Sequence, residues 1–260
     1  MAATTALFQD LNQGDHVIIS RNVYGGTYRM TTQVLINHGL QFDFVDTTDL
    51  LNIKKAIKKN TKWIFVETPT NPMLEITDIA AVSDLCKKHN LKFAVDNTFM
   101  SPYGQRPIEH GADCVMHSST KFIGGHSDVL GGILVAKNKK LADRLHFIQK
   151  SGGAIPSPFD AWLLLRSVKT LAMRVQKASD NAMVLAKYFD NNAKIVKTIY
   201  PGLESHSENK TAQKQQHSPN GDKIYGSMVS VVFRSKLDLD TFIDKIKLFS
   251  LAESLGGVES

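Results

Sequence analysis

Short apolar and β-branched runs alternate with stretches of 3.6-residue periodicity through the first half of the chain. The pattern predicts strands at His16–Ser20, Gln41–Asp46, Lys62–Glu67, Lys92–Asp96, Cys114–Ser118 and Gly131–Ala136. It predicts helices over Gly26–Asn37, Thr48–Lys59, Thr77–His89 and Lys139–Lys150. Runs such as WIFVE and KFAVD are apolar without alternation, as expected of strands covered on both faces. Strands spaced by helices predict βαβ units and a mostly parallel sheet flanked by helices.

The second half reads differently. Gly152, Gly153, Pro156 and Pro158 form a punctuated break. One long helix is predicted from Phe159 to Phe189, with Leu163, Leu164, Val168, Leu171, Val175, Met183 and Ala186 largely on one face. Ser205–Gly221 is polar and reads as a mobile or loop-bearing segment. Met228–Arg234 then predicts a strand and Leu239–Leu248 a helix, the start of a small α/β domain.

A chain of 260 residues has room for a large domain and part of another. Lysine and arginine number 31 against 25 acids, a net +6 spread along the chain. No basic stripe interleaved with aromatics suggests nucleic acid. No apolar run approaches the ~20 residues of a membrane span. Cys86 and Cys114 lie far apart without a CxxC partner, which predicts free thiols in a reducing, cytoplasmic setting. The single H-S-D at His126–Asp128 is weak evidence for a metal, and no HExxH or CxxC accompanies it.

In parallel α/β sheets, ligands collect at the carboxyl ends of the strands. Several polar groups fall there: Tyr24, Asn71, Asp96, Ser118, Thr120 and Lys121. Lys121 follows a strand end inside S-S-T-K-F-I-G-G, not an exposed helix face. An amine held in such a pocket loses its proton readily and can form a Schiff base with an aldehyde. Ser118 and Thr120 suit either phosphate oxygens or turn capping. Asp96 is a helix cap, a partner for a ligand cation, or the acid that keeps a pyridoxal-phosphate ring nitrogen protonated. Tyr24, ahead of a Gly-Gly turn, is a half-buried loop aromatic or a ring laid over a cofactor.

Taken in order, VYGGT, ETPTNP, VDNTFMSP, SSTKFIGGHSDV, PSPFDAWLLLRSVKTL and LFSLAESLGGVES resemble the Cys/Met-metabolism family of pyridoxal-phosphate enzymes. The resemblance covers nearly the whole chain and thins at Ser205–Lys223. It implies a fold-type I architecture and a set of roles. Lys121 matches the Schiff-base lysine, Asp96 the pyridinium partner, Tyr24 the stacking ring, and Ser118 and Thr120 phosphate ligands. Asn71 matches an asparagine near the cofactor and the substrate carboxylate. Glu253 and Ser254 match a small-domain strand bordering the substrate. The implied substrate is a small sulfur amino acid, the implied chemistry transsulfuration of the γ-lyase or γ-synthase kind, and the implied assembly a homotetramer with shared active sites.

The same resemblance divides the chain into a cofactor-binding large domain (1–155), a long connecting helix (156–195) and the beginning of a small domain (196–260). It also predicts that both termini lie inside a longer fold. The family's Tyr-x-Arg segment and Ser-Gly turn would precede Ala2–Leu11, and its substrate-carboxylate arginine would follow Ser260. The rival expectation is a catalytically silent α/β fragment.

Overall fold

Six strands form one sheet in the computed structural model, which describes residues 1–259. They are β1 (His16–Ser20), β2 (Gln41–Val45), β3 (Thr61–Glu67), β4 (Lys92–Asp96), β5 (Cys114–Ser118) and β6 (Gly132–Ala136), in the order β2-β1-β3-β4-β5-β6. The first five are parallel, and β6 returns antiparallel beside β5. The fold is the mostly parallel, helix-flanked α/β sheet that the alternation predicts.

Strand periodicity sorts the core onto two faces. Val17, Ile19, Trp63, Phe65, Ala94, Cys114 and Met116 pack under α1 (Ala2–Phe8) and α6 (Lys139–Gly152). Ile18, Ile64, Val66, Phe93 and Val95 pack under α3 (Leu50–Ala56) and α4 (Ile79–His89). Burying each large apolar side chain contributes about 1.5–3 kcal/mol before entropy is counted. Side-chain caps start the helices: Asp49 accepts from Leu51 N–H, Asp78 from Ala81 N–H and Asn138 from Leu141 N–H. Cys86 and Cys114 are both buried and free, and burial pushes their thiols up to about 12.

Several elements depart from the sequence reading. The predicted Gly26–Asn37 helix is three pieces: α2 (Gly25–Arg29), a wider π-turn at Met30–Val34 and a 3-10 turn at Leu35–His38. Thr31 Oγ1 donates to the Thr27 and Tyr28 carbonyls, and Thr32 Oγ1 to Tyr28, so hydroxyls compete for helical acceptors there. A short helix, α5 (Ser101–Gly104), follows β4. The long helix predicted over Phe159–Phe189 breaks at Val168–Thr170, a 3-10 turn between α7 (Pro158–Ser167) and α8 (Leu171–Asp190). Leu163, Leu171, Val175 and Ala186 are buried as the stripe predicts, but Val168 is turned outward at the break, 44% exposed.

Beyond α8, β7 (Ile195–Ile199) pairs antiparallel with β8 (Ser230–Phe233), and α10 (Lys236–Lys245) follows. Ser205–Gly221 is not simply a loop, because it contains α9 (Asn209–Gln215). Gln215 docks that helix on the large sheet. Its Oε1 accepts from Ile79 N–H at 3.1 Å, and its Nε2 donates to Thr77 O at 3.0 Å and to Gln105 Oε1 at 3.2 Å. A polar composition hid a helix whose anchoring is itself polar.

Candidate active site

β3 and β4 end together, in register, on a carboxylate each: Glu67 pairs with Asp96. Partners in register on parallel strands point to the same face, so the two acids are neighbours. Both are almost fully buried. Burial pushes the Asp96 carboxyl up to about 6, against the pull of two hydrogen bonds from Thr98. Those bonds run from Thr98 N at 3.0 Å and Thr98 Oγ1 at 2.6 Å, both to Oδ1. Thr98 Oγ1 in turn accepts from Ser118 N–H at 2.8 Å, tying the end of β4 to the end of β5. Desolvation and the Asp96 charge hold Glu67 well above the usual carboxylate range. Its Oε2 accepts from Tyr24 N–H at 2.7 Å, and Asn71 N–H also bonds it. Glu67 therefore fastens the Tyr24 loop and the Thr70–Asn71 turn to the sheet. The sequence reading missed it. Its only signal was an acid closing an apolar run.

Lys121 sits in a tight π-turn, Ser119–Ile123, with non-helical backbone at φ −91°, ψ −127°. The turn is closed by local bonds: Gly125 N–H to Lys121 O at 2.7 Å, Gly124 N–H to Ser119 O at 2.8 Å, and Ser119 N–H to Gly131 O at 3.0 Å. Phe122 anchors it in a small core with Met100, Leu171, Val175 and Ile224. Lys121 Nζ donates to Ser254 Oγ at 3.0 Å, and partial burial lowers its pKa below the usual lysine range. The Thr120 hydroxyl is engaged with the Gly131 backbone, accepting its N–H at 3.0 Å. Ser118 is half-buried at the strand end.

Tyr24 caps the start of α2, with its ring 52% exposed. Gly26 lies directly beneath it. A Cβ at Gly26 would meet the Tyr24 ring at 2.5 Å and Met1 Sδ at 2.8 Å. Asn71 is exposed in the turn between two cis X-Pro bonds, Thr68–Pro69 and Asn71–Pro72. Glu253 and Ser254 are exposed and lie in irregular backbone rather than in the expected strand. The small sheet consists of β7 and β8 alone among the described residues, and Glu253 and Ser254 pair with neither. Ser254 still reaches the lysine. His126 Nδ1 bonds Gly124 O at 2.8 Å, within the lysine turn's exit. Among the described residues, no group of three or more histidines, cysteines or acids is placed to hold a metal ion.

The sequence model of the family described as Cys/Met metabolism PLP-dependent enzymes matches residues 1–260. The chain belongs to this family. It is 45% identical over 260 residues to a cystathionine gamma-lyase of Bacillus subtilis, covering all of this chain and 67% of that one. It is 44% identical to a probable cystathionine gamma-synthase of Herpetosiphon aurantiacus, over 95% of this chain and 76% of that one. It is 43% identical to a cystathionine beta-lyase of Coxiella burnetii, over all of this chain and 66% of that one. Among solved structures, metB from Corynebacterium glutamicum superposes with a TM-score of 0.94 at 46% identity, over the whole of this chain and 66% of that one. Cystathionine gamma-lyase from Lactobacillus plantarum, complexed with L-serine, also gives 0.94, at 40% identity over 99% of this chain and 66% of that one. The chain thus spans about two thirds of the length of most of these relatives.

The family's cofactor is pyridoxal phosphate, and the donor set fits it. A desolvated amine, a buried carboxylate at a strand end, hydroxyls at the neighbouring strand end and an aromatic ring resting on a glycine all stand at one edge of the sheet. These are the groups an aldehyde, a pyridine nitrogen, a phosphate and a ring face require.

Proposed function

We propose that this chain carries the cofactor site of a transsulfuration enzyme of the cystathionine γ-lyase kind, turning cystathionine into cysteine, 2-oxobutanoate and ammonia. The observation behind this reading is the placement of Lys121: a half-buried amine in a rigid turn, at the carboxyl edge of the sheet where Asp96 ends its strand. Pyridoxal phosphate, when bound, supplies an aldehyde for that amine and a ring that takes up electron density from the substrate α-carbon.

The chain's own residues do the rest. Lys121 Nζ would hold the cofactor aldehyde and is the base placed to move a proton at the substrate α-carbon; its lowered pKa makes the neutral amine accessible. Asp96 would hold the ring nitrogen as a carboxylate, since a cation placed against it favours the ionised form. Tyr24 would cover the ring face, and its position is fixed by Glu67 at the backbone and Gly26 beneath. Ser118 and Thr120 offer hydroxyls to phosphate. Asn71, Glu253 and Ser254 border the substrate. A homotetramer in the cytoplasm, with active sites shared between subunits, belongs to the same reading.

The runner-up is the γ-synthase reaction, because the relatives' names divide among γ-lyase, γ-synthase and β-lyase at similar identity. Absorbance tests the site. The purified chain given pyridoxal phosphate develops a violet band that Lys121→Ala abolishes, whereas a chain without the band is a silent fragment. Product analysis on the full-length protein tests the chemistry. Cysteine and 2-oxobutanoate from cystathionine support the lyase, and exclusive use of an activated homoserine with cysteine overturns it.

A further inference from the structure

Among the described residues, the Arg174 guanidinium has only neutral oxygens for partners. From α8 its Nη1 donates to the Phe122 carbonyl at 2.7 Å, its Nη2 to the Ser167 carbonyl at 3.0 Å and its Nε to Thr170 Oγ1 at 3.0 Å. Two of these three acceptors come from the α7–α8 break. A continuous helix would spend the Ser167 carbonyl on the Leu171 amide. Here the Leu171 amide bonds Val168 instead, and the Ser167 carbonyl accepts from Arg174 and from Thr170 Oγ1. The third acceptor belongs to the residue after Lys121.

The opposite side of the guanidinium is fitted as closely. Gly125 has φ +69°, and a Cβ there would stand 2.0 Å from Arg174 Nη1. Gly125 N–H is also the donor that closes the lysine turn on Lys121 O. The guanidinium thus occupies the space that any larger residue at 125 would need. Burial lowers the arginine's pKa, which marks a cation placed for its geometry against a solvation penalty.

We propose that Arg174 is a positioning residue that locks the Lys121 turn onto the α7–α8 break and so presents the lysine amine to the cofactor. The planar fork is what permits it. Its donors diverge to a carbonyl in one element and to a carbonyl and a hydroxyl in another, which a single ammonium cannot match. This inference rests on the reading of Lys121 as the cofactor amine, but the lock itself does not.

The test therefore has two arms, run on Arg174→Gln and Arg174→Lys in the full chain. Without cofactor, amide hydrogen exchange at Gly124 and Gly125 is expected to speed at least about tenfold in Arg174→Gln, while Val95 and Met116 in the sheet keep their rates. With pyridoxal phosphate, the affinity read from the violet band is expected to fall by about tenfold or more, the factor that goes with one lost charge-assisted hydrogen bond. Arg174→Lys keeps the charge and is expected to fall short of wild type in both measurements; it carries the comparison alone if the glutamine variant does not fold. Unchanged exchange at Gly124 and Gly125 in both variants overturns the lock, as does acceleration spread evenly over the sheet. If the wild type forms no band while the turn still loosens, the cofactor reading fails and the lock stands.

Discussion

Glu67 and Asp96 close adjacent parallel strands in register, two carboxyls side by side on one buried face. Desolvation raises the proton affinity of both, and the Asp96 charge adds to the rise at Glu67. The rise of Asp96 from an ordinary 3.8 to about 6 corresponds to on the order of 3 kcal/mol. Because the folded pKa is raised, this contribution is fully present below the unfolded value and is lost as pH rises through the folded one. Without cofactor, the stability is expected to fall from about pH 4 to about pH 6 on account of the buried Asp96 carboxyl. Glu67→Gln keeps an acceptor for Tyr24 N–H and removes one charge. Urea unfolding across that window should show a shallower decline in this variant, and an unchanged slope would refute a contribution from the buried Glu67 carboxyl.

Gly26 lies inside α2, where alanine normally gains about 0.5–1 kcal/mol over glycine. Yet its Cβ would strike the Tyr24 ring. Gly26→Ala is therefore expected to leave the thermal midpoint level or higher while lowering the affinity for pyridoxal phosphate severalfold. Calorimetry beside an absorbance titration separates the two effects.

Ser254 Oγ accepts from the charged form of Lys121 at the exposed mouth of the site. Removing it withdraws a bond that favours the ammonium. Ser254→Ala should shift the pH midpoint of cofactor uptake downward by less than about one unit, as fits an exposed contact. A rise in that midpoint would mean that Ser254 does not act through the amine.

Gln215 satisfies a buried N–H, a buried carbonyl and a buried amide at once. Gln215→Ala leaves all three unpaired and should destabilise the chain by about 2–4 kcal/mol, read in urea. Gln215→Glu is expected to be no better, because Thr77 O and Gln105 Oε1 both need a donor.

The strands of the large sheet were legible to within a residue or so because their signal is local: apolar runs with a polar end. The ends of those runs also exposed Asp96, Ser118 and Lys121, whose surroundings in sequence are unlike a solvated helix face. What stayed hidden depends on juxtaposition. Glu67 matters through its register with Asp96, which no single strand contains. Arg174 matters through a break that the stripe of Leu163, Leu171 and Val175 bridges without interruption. α9 is held by amide hydrogen bonds, so hydrophobic spacing had nothing to say about it. Glu253 and Ser254 were expected in a strand because of the family resemblance, and the segment pairs with neither β7 nor β8 among the described residues.

The antiparallel return of β6 has a consequence for the order of assembly. Ser118 and Gly132 are paired, so the lysine turn lies within one hairpin connection, residues 119–131. Closing a loop of that length is fast. During synthesis, Lys121 can acquire its bend while Arg174 is still some fifty residues from being made. The local bonds of the turn can therefore close before its fastening exists, because Leu171, Arg174, Val175 and Ile224, which hold Phe122, all follow it along the chain.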